Sequence, residues 1–314
     1  MNFKVATFNL FQFCSPDFSF YTKKEKFTLS DWEEKKDWIE KQIIKMDCDI
    51  IGFQEVFSSD ELKELVFKLG FKYFEIVDTP RIDSKNPKVY TTTTVAIASK
   101  FPILELKAVK TKEGFNFARK PVKAKIQINE ETTIFFYVAH LKSNRLNEFE
   151  YIFTQKETLE QKRVKIELAL KSNYSLSLNQ RINEAKALYY DIKSNRIPTV
   201  LVCDLNDREF SITIDALTNK RFYVKTLKKD DCVLFDAYNL FKPKIYNPHP
   251  EFKEVKRTPT SYFAGKGNVL DFIFVSKELK KIKSYEVFDE HLQRNQNGNL
   301  KESDHAQVVC EIQI

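Results

Sequence analysis

No pair of cysteines in this chain has CxxC spacing. The five present, Cys14, Cys48, Cys203, Cys232 and Cys310, are odd in number and scattered. They suggest neither a disulfide framework nor a zinc site, and a reducing compartment is the simplest setting. Cys203 and Cys310 stand in apolar strand patterns, where cysteine serves as a small core hydrophobe. No apolar stretch approaches the length of a membrane span. The start of the chain runs straight into a strand-like segment, Phe3 to Phe8, with no basic and apolar regions of a signal peptide. A soluble, cytoplasmic protein is the expectation, and export by a route without an N-terminal signal is compatible with it. No linker rich in Pro, Gly or Ser divides the chain and no short repeat recurs, so one domain over 1–314 is expected.

What is present can build a large core. Hydrophobic residues make up 42% of the 314, and Phe alone supplies 28. A net charge of +7 with a pI near 8.9 mildly favours an anionic partner, although a Lys-rich composition accounts for it equally well. The basic runs at Lys220-Arg221, Lys228-Lys229 and Lys280 to Lys283 lack the aromatic interleaving of a nucleic-acid groove and read as solvated faces.

Strand-like apolar runs occur at 3–8, 49–53, 93–98, 122–128, 133–139, 199–203, 269–275 and 306–312, with Asn129-Glu130-Glu131 as a hairpin turn. Helical stripes run through Trp32, Ile39, Ile43 and Met46, and through Ile182, Ala185, Tyr189 and Ile192. A third, Leu62, Leu65, Val66 and Leu69, has Ser58 and Glu61 as a capping box and Gly70 as its stop. Leu146 to Leu170 is charged and reads as helical with poor periodicity. Strands separated by helices, then hairpins, then strands again suggest two sheets face to face with helices outside.

Polar residues stand where these strands end, and there a carboxylate or imidazole is costly unless paired or metal-bound. Glu55 follows Asp49 to Gln54, and Asp204 follows Thr199 to Cys203, with Asn206 two positions on. Hard oxygen ligands of this kind suit Mg²⁺ or Mn²⁺, which would polarise a phosphoryl oxygen. Only four histidines occur. His140 ends one strand and His305 follows Ser303-Asp304 before the last, and either could serve as an acid or base. Asp271, inside Val269 to Val275, is the natural carboxylate to orient one of them. His249 and His291 lack such a context and read as loop residues. Asn9 closes the first strand, where its amide could orient a metal-bound group or bond a phosphate. Arg119 could clamp a phosphate. Each has a bland alternative as a turn, core or surface residue. The joint pattern, spread over six strand ends, does not fit those alternatives.

The ordered set Asn9, Gln54-Glu55, His140-Leu141, Asp204-Leu205-Asn206, Leu270-Asp271 and Ser303-Asp304-His305 resembles the endonuclease/exonuclease/phosphatase superfamily of DNase I-like, metal-dependent phosphoesterases. The resemblance spans essentially the whole chain. It implies an α/β four-layer sandwich of two mixed sheets flanked by helices, with the site at one end of the sheets. It further implies that Glu55 holds Mg²⁺, helped by Asn9 and Asp304. Asp204 would orient or deprotonate the attacking water, and Asn206 would bind the phosphate. His305, paired with Asp271, would contact the scissile phosphate or act as base. His140 would stabilise developing charge or protonate the leaving group, and Arg119 would contact phosphate.

Phe11 and Asn268 to Phe272 depart from the pattern of abasic-site endonucleases, and the Pro-x-Trp-Cys-Asp-Arg block of inositol polyphosphate 5-phosphatases is absent. The expected substrate is nucleic acid, DNA or RNA. Phospholipid head groups and inositol phosphates are the alternative. A nuclease should show a cationic groove leading away from the metal, and a lipid enzyme an apolar rim or a deep polyphosphate pocket. A helical insert near 146–193 is the expected substrate wall or lid, with a simple outer-layer helix pair as its alternative. Oligomeric state is not legible.

Overall fold

Strand and helix formers alternate along the chain, and the computed structural model places them in two sheets with helices outside. It describes residues 1–109, 111, 115–145, 147–171, 175–227, 231–241, 257–294 and 301–314. His249 and Lys228-Lys229 lie outside these. The first half runs β1 (Asn2–Phe13), β2 (Ser19–Phe20), α1 (Leu29–Met46), β3 (Ile50–Val56), α2 (Ser59–Lys68), β4 (Tyr73–Ile76), β5 (Val89–Tyr90), β6 (Thr94–Ser99), β7 (Ile103–Ala108), β8 (Val122–Gln127) and β9 (Thr133–His140). The second runs α3 (Leu159–Lys171), α4 (Leu176–Ser194), β10 (Thr199–Asp204), α5 (Ile212–Thr218), β11 (Phe235–Asp236), α6 (Ala237–Phe241), β12 (Ser261–Phe263), β13 (Lys266–Asn268), β14 (Asp271–Val275), β15 (Ile282–Phe288), α7 (Glu290–Arg294) and β16 (Gln307–Gln313).

Two mixed sheets of six described strands form the centre, ordered β15-β16-β1-β3-β6-β4 and β11-β14-β10-β9-β8-β7. Each holds one parallel pair at its middle, β1 with β3 and β9 with β10, flanked by antiparallel neighbours. Three apolar clusters define the layers. Val5, Ile50 and Ile97 of one sheet meet Ile134, Val202 and Ile273 of the other. Phe8 and Phe53 turn outward onto Trp32, Ile39 and Leu62 of α1 and α2. Tyr137 and Leu201 turn outward onto Ile166, Ile182 and Leu188 of α3 and α4. The order is helix, sheet, sheet, helix. Cys203 lies in the outer cluster of the second sheet and Cys310 between the sheets, and no disulfide joins any of the five cysteines.

Gly52 shows how closely the sheets approach. A Cβ there would stand 2.3 Å from Cγ2 of Val202 and 2.8 Å from Cγ2 of Val138, so a side chain would force the sheets apart.

Local expectations fare unevenly. The hairpin turn forms, with Asn129 Oδ1 accepting from the backbone N–H groups of Glu131 and Thr132. Gly70, at φ +90°, follows the end of α2. The capping box does not form. Ser58 is the N-cap residue, but its hydroxyl accepts from Ser15 N–H at 2.8 Å and does not cap the helix. The helical insert begins at Leu159, and the described residues from 147 to 158 are irregular. His291 is not a loop residue: it sits buried in α7, with Nε2 2.9 Å from the carbonyl oxygen of His305.

Candidate active site

One rim joins the ends of β9 and β10 to the register break of β1 and β3; Asn9 does not close its strand, which continues to Phe13. Register sets Asn9 beside Gln54 in the first sheet and His140 beside Asp204 beside Asp271 in the second. Beyond Asn9 the β1–β3 register shifts, and Phe11 and Gln12 take φ of 49° and 63°. Glu55, at φ 60°, sits at a matching irregularity between β3 and β6. Asn206 is likewise left-handed at φ 50°. Non-glycine residues rarely adopt this conformation, and such strain gathers where a fold aims side chains at a site. Gln12 N–H fixes the result by donating to Glu55 Oε2 at 3.0 Å.

Asp204 is the focus. Its Oδ1 accepts from Asn206 N–H at 2.8 Å, and its Oδ2 accepts from Asn9 Nδ2 at 3.1 Å across the sheet interface. The same Oδ2 lies 3.3 Å from His140 Nε2 and 3.9 Å from His305 Nε2. His305 is held by its other nitrogen, Nδ1, 2.7 Å from Asp271 Oδ2. Ser303 Oγ accepts from His305 N–H and donates to the Asn9 carbonyl, tying the last strand to the first. Thr260 Oγ1 accepts from the N–H groups of Leu270 and Asp271 at 2.9 and 3.1 Å.

Burial and neighbouring charge drive the two histidines apart. His140 is held well below the usual imidazole range by burial, then by the charge of Arg119. Burial acts the same way on His305, but Asp271, Asp204 and Asp304 outweigh it and hold its pKa well above normal. Burial pushes Asp204 up to about 7, against the pull of His305. Burial and charge thus move the two imidazoles to opposite sides of their usual range.

The donor set fits a hard divalent cation. Burial and then the charge of Asp304 push the Glu55 carboxyl above its usual range, a repulsion that a cation bound by both would relieve. Asp204, Asp271 and His305 also offer ligand atoms within 4.8 Å of one another. There the His305–Asp271 hydrogen bond takes up Nδ1 and Oδ2, and Asp271 Oδ1 is buried with no hydrogen-bond partner among the described residues.

The rim thus gathers Asn9, Glu55, His140, Asp204, Asn206, Asp271, Asp304 and His305. Arg119 comes close, but its Nη1 and Nη2 donate to the Leu141 carbonyl and Ser143 Oγ at 2.9 and 3.2 Å. Asn206 Nδ2 likewise donates to Leu141 O at 3.1 Å. Sequence reasoning missed Lys35, fully buried on α1 with Nζ 5.3 Å from the Phe27 ring centre and 5.8 Å from that of Phe11. The signal was a gap in the apolar stripe between Trp32 and Ile39. Thr260 and Ser303 carried no comparable mark.

A family model described as the Endonuclease/Exonuclease/phosphatase family matches residues 6–305. The chain belongs to this family. It is accordingly a hydrolase of phosphate esters. Among solved structures, the human Nocturnin catalytic domain with bound sulfate is 18% identical, at TM-score 0.59, covering 99% of this chain and 93% of that one. An AP endonuclease from Archaeoglobus fulgidus is 14% identical, at TM-score 0.59, covering 99% and 100%. A family protein from Leptotrichia buccalis is 17% identical, at TM-score 0.57, covering 99% and 100%. These likenesses establish the DNase I-like sandwich. No curated protein matches the chain. No helix among the described residues is long and apolar enough to cross a membrane.

Proposed function

We propose that this chain is a Mg²⁺-dependent phosphodiesterase that cleaves nucleic acid. The observation that carries the reading is the convergence of Asn9, Asn206, His140 and His305 on one carboxylate, Asp204, at the shared rim of both sheets. Asp204, held by the Asn9 amide and the Asn206 N–H with both imidazoles within 4 Å, orients the attacking water and accepts its proton. His305, held by Asp271, presents Nε2 to the scissile phosphate and balances the charge that grows on it. His140 and the Asn206 amide complete the cradle for the phosphoryl oxygens. Arg119 braces the Leu141 carbonyl and lends its charge from behind. Asn9, Glu55 and Asp304 would hold Mg²⁺, or Mn²⁺ in its place. When bound, the ion polarises a phosphoryl oxygen and stabilises the leaving oxygen.

The test is hydrolysis of a short labelled oligonucleotide with Mg²⁺, with Asp204→Ala beside the wild type. Cleavage by the wild type alone supports the reading, and equal cleavage by both removes Asp204 from it.

A second reading, hydrolysis of phospholipid head groups or inositol phosphates, draws support from the exposed rings of Phe149 and Phe263 on a cleft that reaches the site. Turnover of sphingomyelin vesicles or inositol phosphates by a protein inert on oligonucleotides would establish it instead.

A further inference from the structure

A cleft of about 500 Å³ opens from Asn206, Asp304 and His305. Two aromatic segments border it. Phe149, Tyr151 and Phe153 alternate along one segment, with neighbouring ring centres 5.1 and 6.3 Å apart, the latter pair stacked. Tyr262 and Phe263 project from the β12–β13 hairpin. Arg208 lies between the two segments, pairing with Glu150 at 2.7 Å on one and donating to Asn268 at 2.6 Å on the other. Phe149 is 70% exposed and Phe263 66%, unusually open for large rings beside a catalytic rim.

Among the described residues the charge in the cleft is balanced. Its three arginines each face a carboxylate: Arg145 with Glu148 at 4.0 Å, Arg181 with Asp207 at 3.5 Å, and Arg208 with Glu150. Unbalanced cations along a groove are the mark expected above of a nuclease, and among the described residues this wall does not supply them. Its rings instead offer flat faces, interspersed with the amides of Asn144 and Asn268 and the hydroxyls of Ser143 and Ser261. Such a surface suits a heteroaromatic ring with polar edges better than an aliphatic lipid tail.

Resting on the nuclease reading above, we infer that the cleft is a stacking slot for unpaired bases, so that the substrate is single-stranded nucleic acid. A base next to the scissile phosphate inserts between the Phe149 segment and the hairpin, which aligns the phosphate with Asp204 and His305. In a duplex the same base is stacked and paired, and the slot goes unused.

The experiment compares kcat/KM, with Mg²⁺, on one labelled strand, on the same strand in a blunt duplex, and on the strand with a single abasic residue. Wild type, Phe149→Ala and Phe263→Ala are measured side by side, with thermal melts as a folding control. The expected result is a preference of about 10-fold or more for the single strand, and a fall of similar size at the bond next to the abasic residue. Both variants fold and lose most of the preference. Cleavage of strand and duplex at equal rates, or variants that keep the preference, would overturn the slot while leaving the nuclease reading intact. Hydrolysis of sphingomyelin vesicles or inositol phosphates, with no strand cut, would overturn both. Because both rings are largely exposed, truncation leaves the core untouched. The doubly substituted Tyr262→Ala, Phe263→Ala protein, which removes both hairpin rings, should lose the preference as well.

Discussion

Asn9 on the first strand of one sheet donates to Asp204 at the end of a strand in the other, across 3.1 Å and out of contact with water. This bond joins the two sheets at the rim where the chemistry is placed, so the site's geometry depends on how the sandwich closes. Asn9→Ala should cost about 1–3 kcal/mol, because it leaves a buried carboxylate oxygen short of a donor and opens a small void. Thermal unfolding checks the stability loss. Oligonucleotide turnover should fall by a larger factor than the melting shift implies, since Asp204 loses its orientation. Asn9→Asp should be worse than Asn9→Ala, because it sets a second carboxylate against Asp204.

Asp271 holds His305 by the 2.7 Å contact to Nδ1. Asp271→Asn keeps the shape and removes the charge that holds the imidazole protonated and turned toward Asp204. Turnover should fall by roughly 10²–10⁴ with little change in substrate affinity. Steady-state kinetics with separate kcat and KM check this, and a variant with near wild-type kcat would take the dyad out of the mechanism.

Most of the fold was legible because buried strands in a two-sided sandwich leave long apolar runs, and the polar residues that interrupt them stand out. Asp204 and His140 could be found in this way, each at the end of such a run. The short strands could not. Ser19–Phe20 and Phe235–Asp236 bury too few residues to set a period. Residues 147–158 misled because their apolar members, Phe149, Tyr151 and Phe153, alternate as an extended segment does while the surrounding charges read as helical. Ser58 illustrates the limit of a local motif. Its sequence neighbourhood is a good cap, but a tertiary partner, Ser15, takes the hydroxyl. The carboxylate repulsion at Glu55 and the contacts of Lys35 depend on segments far apart in the chain, and no local pattern encodes them.

The proposed Mg²⁺ site at Glu55 can be tested on its own. Glu55 is pushed upward by burial and by Asp304, so a divalent ion gains affinity by relieving that repulsion. Glu55→Gln should weaken Mg²⁺ binding by about 10-fold or more, measured by calorimetry on the isolated protein without substrate. Chelation with EDTA should abolish turnover and Mg²⁺ should restore it. Unchanged binding in Glu55→Gln would move the ion to the side of Asp204 and Asp271.

Lys35 offers the clearest pH test of the interior. Burial is the main cause that lowers its pKa from 10.5 to about 7, while Asp304 and Glu55 pull it back up. A fully buried ammonium whose pKa lies that far below its unfolded value costs up to about 5 kcal/mol at pH 7 and below. The Phe11 and Phe27 rings return about 1–2 kcal/mol of this through cation–π contact. Lys35→Met, which fills the same space without charge, should therefore stabilise the metal-free protein by on the order of 1–3 kcal/mol at neutral pH. The sign fixes the profile. Between the folded and unfolded pKa values the unfolded chain binds the extra proton, so wild-type stability gains from this group as pH rises from about 7 toward 10.5. The advantage of Lys35→Met should then be greatest at pH 7 and below, and shrink steadily above it. Denaturant unfolding of both proteins in EDTA, across that range, measures the difference. An advantage that stays constant with pH would mean that Lys35 is charged throughout, held by the Glu55 and Asp304 carboxylates more strongly than burial opposes it.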